Sequence, residues 1–276
     1  MKPPRYLKLL LEGGIGDCIK VITCNYALRS LYEKHGTEVF VSYGGENSND
    51  CGWGELLKKE VFDIVPGLSC VSPKEADALS FPTVKSFFDK GACPLNLNRL
   101  LPLNYPTPET EPPKDKRNIG IQLSSNDPRK TYSLKSWNKL IELILDKHQH
   151  TNIYLFDSPD KREEVERKII KHKNVFNTVG NNLSSSICLI SQMDLFISSD
   201  SFSKYICLCG RVPAILLCAD VKFMTPTDLL KDCFLKEIVY NDNFKLLGAE
   251  YEDNFKVKSM VSNINEIKTE EILSHV

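Results

Sequence analysis

Residues 195–217 constrain the fold of this chain more than any other stretch. Leu195-Phe196-Ile197 reads as a buried strand and Ser198-Ser199-Asp200-Ser201 as a polar turn. Phe202 to Cys209 follows as a helix stopped at Gly210, and Ala214-Ile215-Leu216-Leu217 as a second apolar strand opened by Pro213. Short apolar runs without polar alternation suit strands covered on both faces. The first strand delivers Ser199, Asp200 and Ser201 to a helix start. Backbone N–H groups there lack helical partners, and the helix dipole favours an anion. Ligands of open α/β sheets sit at the carboxyl ends of strands. Asp200, Ser201, Phe202 and Ser203 are therefore candidates for a phosphate-facing site. The same residues also make an ordinary helix N-cap.

The rest of the chain repeats the strand-then-helix pattern. Tyr6 to Leu11 is a strand that runs into Glu12-Gly13-Gly14-Ile15-Gly16-Asp17, and a helix carries Val21, Cys24, Leu28 and Leu31 on one face. His35-Gly36 ends it, and Glu38 to Tyr43 is the second strand. From Pro66 to Pro113 the chain is dense in Pro, Asn and Ser, and Pro106, Pro108, Pro112 and Pro113 mark a linker. A second series follows: strand 118–123, polar loop 124–133, helix 134–147, strand 152–156, charged helix 160–171, strand 175–179 and helix 183–192. The tail, 263–276, holds Ile264, Ile267, Ile272 and Val276 as an amphipathic helix that can cross back to the first domain. Alternating strands and helices predict parallel sheets covered on both faces. The expected domains are 1–112, 113–262 and the terminal helix 263–276.

Composition narrows the class. With 276 residues, 42% hydrophobic and 26% charged, the chain is globular. A net charge of −1 with interspersed signs gives no surface for coating nucleic acid. No apolar run approaches the roughly 18 residues of a membrane helix. Met1 to Arg5 lead into a strand rather than a signal peptide, so a cytoplasmic protein without stable membrane insertion is expected. The chain has ten cysteines; Cys18, Cys24, Cys188, Cys207, Cys209 and Cys218 fall inside apolar patterns as small core residues of a reduced protein. None of the ten has CxxC spacing, and no metal site is expected.

Two more segments carry candidate chemistry. In the Gly-rich turn, Gly14 and Gly16 let a ligand approach the backbone, and Asp17 stands at the helix start. The turn is not GxGxxG, and Asp17 as a simple N-cap is the competing reading. In the loop 124–132, Arg129 and Lys130 are adjacent cations, either of which can neutralise a phosphate. Trp137 is read as a core residue rather than a stacking platform.

Together these segments resemble glycosyltransferase family 9, the heptosyltransferases and their relatives. The resemblance rests on Gly16-Asp17 after the first strand, on Lys130-Thr131-Tyr132-Ser133-Leu134-Lys135-Ser136-Trp137, and on Ser199-Asp200-Ser201-Phe202-Ser203-Lys204-Tyr205 followed by Gly210 and Val212-Pro213. Phe202 stands where the family has Gly, Tyr205 where it has His, and Asp157-Ser158 where it has Gly-Gly. The resemblance implies a GT-B architecture: two Rossmann-like domains facing across a cleft. It implies an inverting, metal-independent transfer of a heptose-like or hexose sugar from a nucleotide-diphosphate sugar to an acceptor hydroxyl, with no other cofactor. The acceptor would be a glycan, a lipid-linked glycan or a protein. Asp17 would be the general base. Gly14, Gly16, Lys130, Asp157, Asp200, Ser201, Phe202 and Ser203 would hold the donor, with Asp157 or Glu163 on the ribose. Phe202 and Tyr205 keep an alternative open, a non-catalytic nucleotide-sugar or protein-binding module on the same fold.

Overall fold

The computed structural model describes residues 6–11, 36, 38–43, 68–71, 83–85, 111–125, 127–219, 242–251 and 257–276. The chain divides into two units, Met1–Tyr105 with Lys231–Phe234, and Pro106–Leu230 with Leu235–Val276.

The first unit contains the strands β1 (Tyr6–Leu11), β2 (Glu38–Tyr43), β3 (Leu68–Val71) and β4 (Thr83–Lys85). They form one parallel sheet in the order β3-β2-β1-β4, with Tyr6 opposite Glu38 and Lys8 opposite Thr83. β1 is thus interior, and the sheet reverses direction of growth between β1 and β4. The Gly-rich turn follows the carboxyl end of β1 in sequence. Gly14, Gly16 and Asp17 themselves lie outside the described residues.

The second unit is built on β5 (Arg117–Gln122), α1 (Leu134–Lys147), β6 (Thr151–Phe156), α2 (Arg162–Lys168), β7 (Val175–Asn177), α3 (Leu183–Ile190), β8 (Leu195–Ser199), α4 (Ser203–Gly210) and β9 (Ala214–Leu217). β10 (Phe244–Leu247), the hairpin strands β11 (Ala249–Tyr251) and β12 (Val257–Met260), and the short helix α5 (Thr269–Leu273) complete it. Its six-stranded sheet has the order β10-β9-β8-β5-β6-β7, and every pair is parallel. Counted from β5, this is the 3-2-1-4-5-6 order of the doubly wound nucleotide-binding fold, whose ligand crevice opens where the order reverses. Here that point lies between the carboxyl ends of β5 and β8.

Strand alternation decides what covers each face. Ile119 and Ile121 on β5 belong to the same buried cluster as Trp137, Leu140, Ile141 and Ile144, which recur at helical spacing along α1. Gly120 points the other way, where a Cβ would stand 2.4 Å from the Phe196 ring. That ring is fully buried and packs at 5.5 Å on Phe156. α1 starts at Ser133, whose hydroxyl accepts the Ser136 N–H at 3.0 Å. Trp137 is 0% exposed and donates its indole N–H to the Leu123 carbonyl at 2.9 Å, which places it in the core.

Several boundaries differ from the sequence reading. The charged helix is shorter than 160–171: a 3-10 turn covers Pro159–Lys161, and α2 stops at Lys168. Ile169 turns to extended backbone (φ −84, ψ 145) to bury its side chain. The terminal segment is a 3-10 turn, Ile264–Glu266, followed by α5 rather than one helix. Asn263 and Glu266 form a capping box there. Ile264, Ile267 and Ile272 join the core of the second unit, and Arg117 donates to the Val276 carbonyl at 2.6 Å. Among the described residues no helix is long and apolar enough to cross a membrane.

Candidate functional site

The loop after β5 is held in shape by its own polar residues. Asp127 accepts the Arg129 backbone N–H at 2.9 Å and the Arg129 guanidinium at 2.8 Å. The Thr131 hydroxyl donates to the Ser125 carbonyl at 3.1 Å. Pro128–Lys130 form a single 3-10 turn with proline at its start, where no N–H is required. Arg129 is thereby committed to Asp127 at the surface, while Lys130 is turned inward and is only 9% exposed. Of the two adjacent cations, Lys130 is the one placed at the strand ends.

The loop after β8 meets it. Lys130 Nζ donates to Asp200 Oδ2 at 2.6 Å, and Lys204 Nζ donates to Asp200 Oδ1. All three groups are buried, with Asp200 8% and Lys204 6% exposed. Burial pushes the Asp200 carboxyl up, but the ammoniums of Lys204 and Lys130 outweigh it and hold the group down to about 2. Asp200 is therefore ionised at neutral pH, with both carboxylate oxygens engaged by ammonium groups.

Ser201 ties the two strand ends together directly. Its hydroxyl donates to Gln122 Oε1 at 2.7 Å and lies 3.0 Å from Ser203 Oγ. α4 begins after Phe202, whose side chain makes no cap bond. The Ser203 N–H reaches Ser201 Oγ at 3.4 Å, and the Lys204 and Tyr205 N–H groups bond the Ser201 and Phe202 carbonyls at 3.4 and 3.1 Å. Tyr205 is buried beneath this turn, with Lys204 Nζ 4.8 Å from its ring centroid.

Asp157 stands at the carboxyl end of β6, the strand next to β5. It accepts the Ser124 hydroxyl at 2.7 Å and the Ser158 backbone N–H at 2.7 Å. Burial raises its carboxyl above the usual range, and the Ser124 bond works against the rise. An acidic residue after the second strand of this fold is placed to reach a ribose hydroxyl. Glu163 lies exposed on α2 with the other solvent-facing charges.

Thus Lys130, Asp157, Asp200, Ser201, Phe202 and Ser203 all gather at the carboxyl ends of β5, β6 and β8. The sequence analysis did not single out Gln122, Lys204 or Tyr251. Gln122 follows the apolar run Ile119-Gly120-Ile121 at the end of its strand, so its amide was a signal available in the sequence. Lys204 stands four residues after Asp200, the spacing of a helical ion pair, inside an otherwise apolar helix. Tyr251 comes from the β11 hairpin, and its hydroxyl is buried without a hydrogen-bond partner. Burial raises its phenol, and the Cys218 thiol and the Asp200 carboxylate add to the rise. Cys218 follows β9, and burial, reinforced by Asp200, pushes its thiol up to about 12, so it is not a nucleophile.

A family model described as glycosyltransferase family 9 (heptosyltransferase) matches residues 94–206. No curated protein sequence matches the chain. Among solved structures, the ADP-heptose lipopolysaccharide heptosyltransferase II of E. coli is similar, with a TM-score of 0.62 at 11% identity over 98% of this chain and 96% of that one. The E. coli heptosyltransferase WaaC with ADP gives a TM-score of 0.60 at 10% identity, covering 98% of both chains. A family 9 glycosyltransferase from Veillonella parvula gives 0.57 at 13% identity, covering 99% of this chain and 97% of that one. The fold is GT-B-like, and over residues 94–206 the chain is similar in sequence to glycosyltransferase family 9.

Proposed function

We propose that this chain is an inverting, metal-independent glycosyltransferase that moves a sugar from a nucleoside-diphosphate sugar to an acceptor hydroxyl. The single observation that carries the reading is the buried Lys130–Asp200 pair, at 2.6 Å, where the strand order of the second unit reverses. A diphosphate placed there meets an oriented ammonium and the N-terminal end of the α4 dipole. In this reading Asp157 takes the ribose. Lys130 supplies the charge neutralisation that the departing diphosphate needs.

In this mechanism the acceptor oxygen attacks the anomeric carbon as the bond from that carbon to the diphosphate oxygen breaks. One displacement inverts the anomeric centre. The hydroxyl proton passes to the carboxylate of Asp17, and the nucleoside diphosphate leaves against Lys130. Asp17 is given this role by its place after β1 and by the family pattern. A carboxylate of ordinary pKa near 3.9 serves as base because the hydroxyl acidifies as its bond to carbon forms. The similar heptosyltransferases are named for ADP-heptose and ADP, which makes a heptose or hexose donor the first class to test. The acceptor is a glycan, a lipid-linked glycan or a protein, and the enzyme works in the cytoplasm.

A thermal-shift panel of nucleotide sugars, including ADP-heptose, tests the reading, because a ligand of the native state raises the melting temperature. A rise with one nucleotide family, followed by transfer to an acceptor, is expected. No rise with any nucleotide or nucleotide sugar contradicts it.

A further inference from the structure

Lys204 is not needed to explain a site with one phosphate lysine. Asp200 has an ammonium in Lys130 already, and an apolar residue in the first turn of α4 would complete the packing. Instead Lys204 is buried, and its ammonium occupies the second oxygen of the same carboxylate. One carboxylate held by two ammoniums leaves one positive charge over. Among the described residues neither lysine pairs with a second carboxylate. A buried charge without a counter-charge is costly, so such a triad favours an anion. The triad also lies at the carboxyl ends of β5 and β8. The Ser199 hydroxyl there, 2% exposed, has no hydrogen-bond partner.

We propose that Lys204 is a second anion-binding lysine of this site, acting on the diphosphate of a nucleoside diphosphate. Asp200 fixes the two ammoniums side by side, and the charge it leaves over binds the diphosphate. The inference rests on the glycosyltransferase reading and adds a recognition residue to it. The competing role is structural: Lys204 serves only to neutralise Asp200.

The test is titration calorimetry of inorganic pyrophosphate and of nucleoside diphosphates into the full chain, with the matching nucleosides as uncharged controls. Lys204→Met takes the triad from one positive charge to none, and Lys204→Arg keeps it. Asp200→Asn raises it to two. Thermal unfolding reports whether each variant is folded. Lys204→Met is expected to weaken diphosphate binding about ten- to hundredfold, the range for a lost charge-assisted hydrogen bond. Lys204→Arg should stay near wild type, Asp200→Asn should bind more tightly, and nucleoside affinity should not move. Unchanged diphosphate affinity in folded Lys204→Met, or weakened affinity in Asp200→Asn, overturns the inference while the glycosyltransferase reading stands. If Lys204→Met does not fold, Lys204→Gln, which removes the charge but keeps a hydrogen-bonding side chain beside Asp200, decides in its place. A wild-type chain that binds neither pyrophosphate nor any nucleoside diphosphate overturns both.

Discussion

Lys130 Nζ and Asp200 Oδ2 meet at 2.6 Å although 70 residues separate them in the chain. The contact joins the loop after β5 to the loop after β8 across the reversal in strand order. It gives the fold a fixed cation at the point where the strand order of the sheet reverses. Lys130→Ala should weaken nucleoside-diphosphate binding by about 1–3 kcal/mol, the scale for losing a hydrogen bond to a charged group. Titration calorimetry on the folded variant checks this, and an unchanged affinity removes Lys130 from the site.

Acid should dismantle the same contact. The Asp200 carboxyl is held down to about 2 in the folded chain, below its unfolded value. Its contribution to stability is therefore complete above about pH 4 and is lost as pH falls toward 2. The amount is on the order of 2 kcal/mol, because each unit of depression in a buried group corresponds to about 1.4 kcal/mol. Urea unfolding of wild type and Asp200→Asn between pH 5 and pH 2 measures it. The wild type should lose this increment on acidification, and the variant should lack that part of the slope.

The first strand of the second unit carries a separate constraint. A Cβ on Gly120 would lie 2.4 Å from the Phe196 ring, which is fully buried against Phe156. Gly120→Ala should destabilise the unit by about 1–3 kcal/mol through overpacking. Thermal unfolding gives the number. A melting temperature equal to wild type would mean that the ring moves aside at no cost.

The second unit was legible in the sequence where one physical rule dominated. The apolar stripe Trp137, Leu140, Ile141, Ile144 fixed α1 as Leu134–Lys147, and short runs of apolar residues fixed β5, β8 and β9 to within a residue or two. Lys130 and the Ser199–Ser203 turn were readable because cations and small polar residues followed such strands. Tertiary packing hid the rest. Ile169 left the charged helix because it buries better in extended backbone, which helix propensity does not encode. β10 and the β11–β12 hairpin were missed: Phe244–Leu247 is only four residues long, and the hairpin strands carry charges at Glu250 and Lys258 that mask alternation. Lys204 was overlooked because a lysine in a short helix is read as solvated, whereas here Asp200 draws it inside.

The general-base role proposed for Asp17 separates catalysis from binding. Asp17→Asn keeps a hydrogen-bonding side chain where the sequence reading expects a helix to start, and should leave nucleotide affinity and most of the stability intact. Turnover should fall about 10²–10⁴-fold, the usual contribution of a positioned general base. Steady-state transfer with the donor and acceptor found by the ligand panel checks it. Wild-type-like turnover would leave the Gly-rich turn as scaffold.

The central claim is that a nucleoside diphosphate sits where β5 and β8 end. A crystal structure of the full chain grown with its tightest nucleoside diphosphate tests this most directly. The account predicts diphosphate oxygens within hydrogen-bond distance of Lys130 Nζ and of the backbone N–H groups at Ser201–Ser203, with the ribose toward Asp157. A diphosphate bound elsewhere on the chain, with Lys130 and Asp200 still paired and uncontacted, would contradict it.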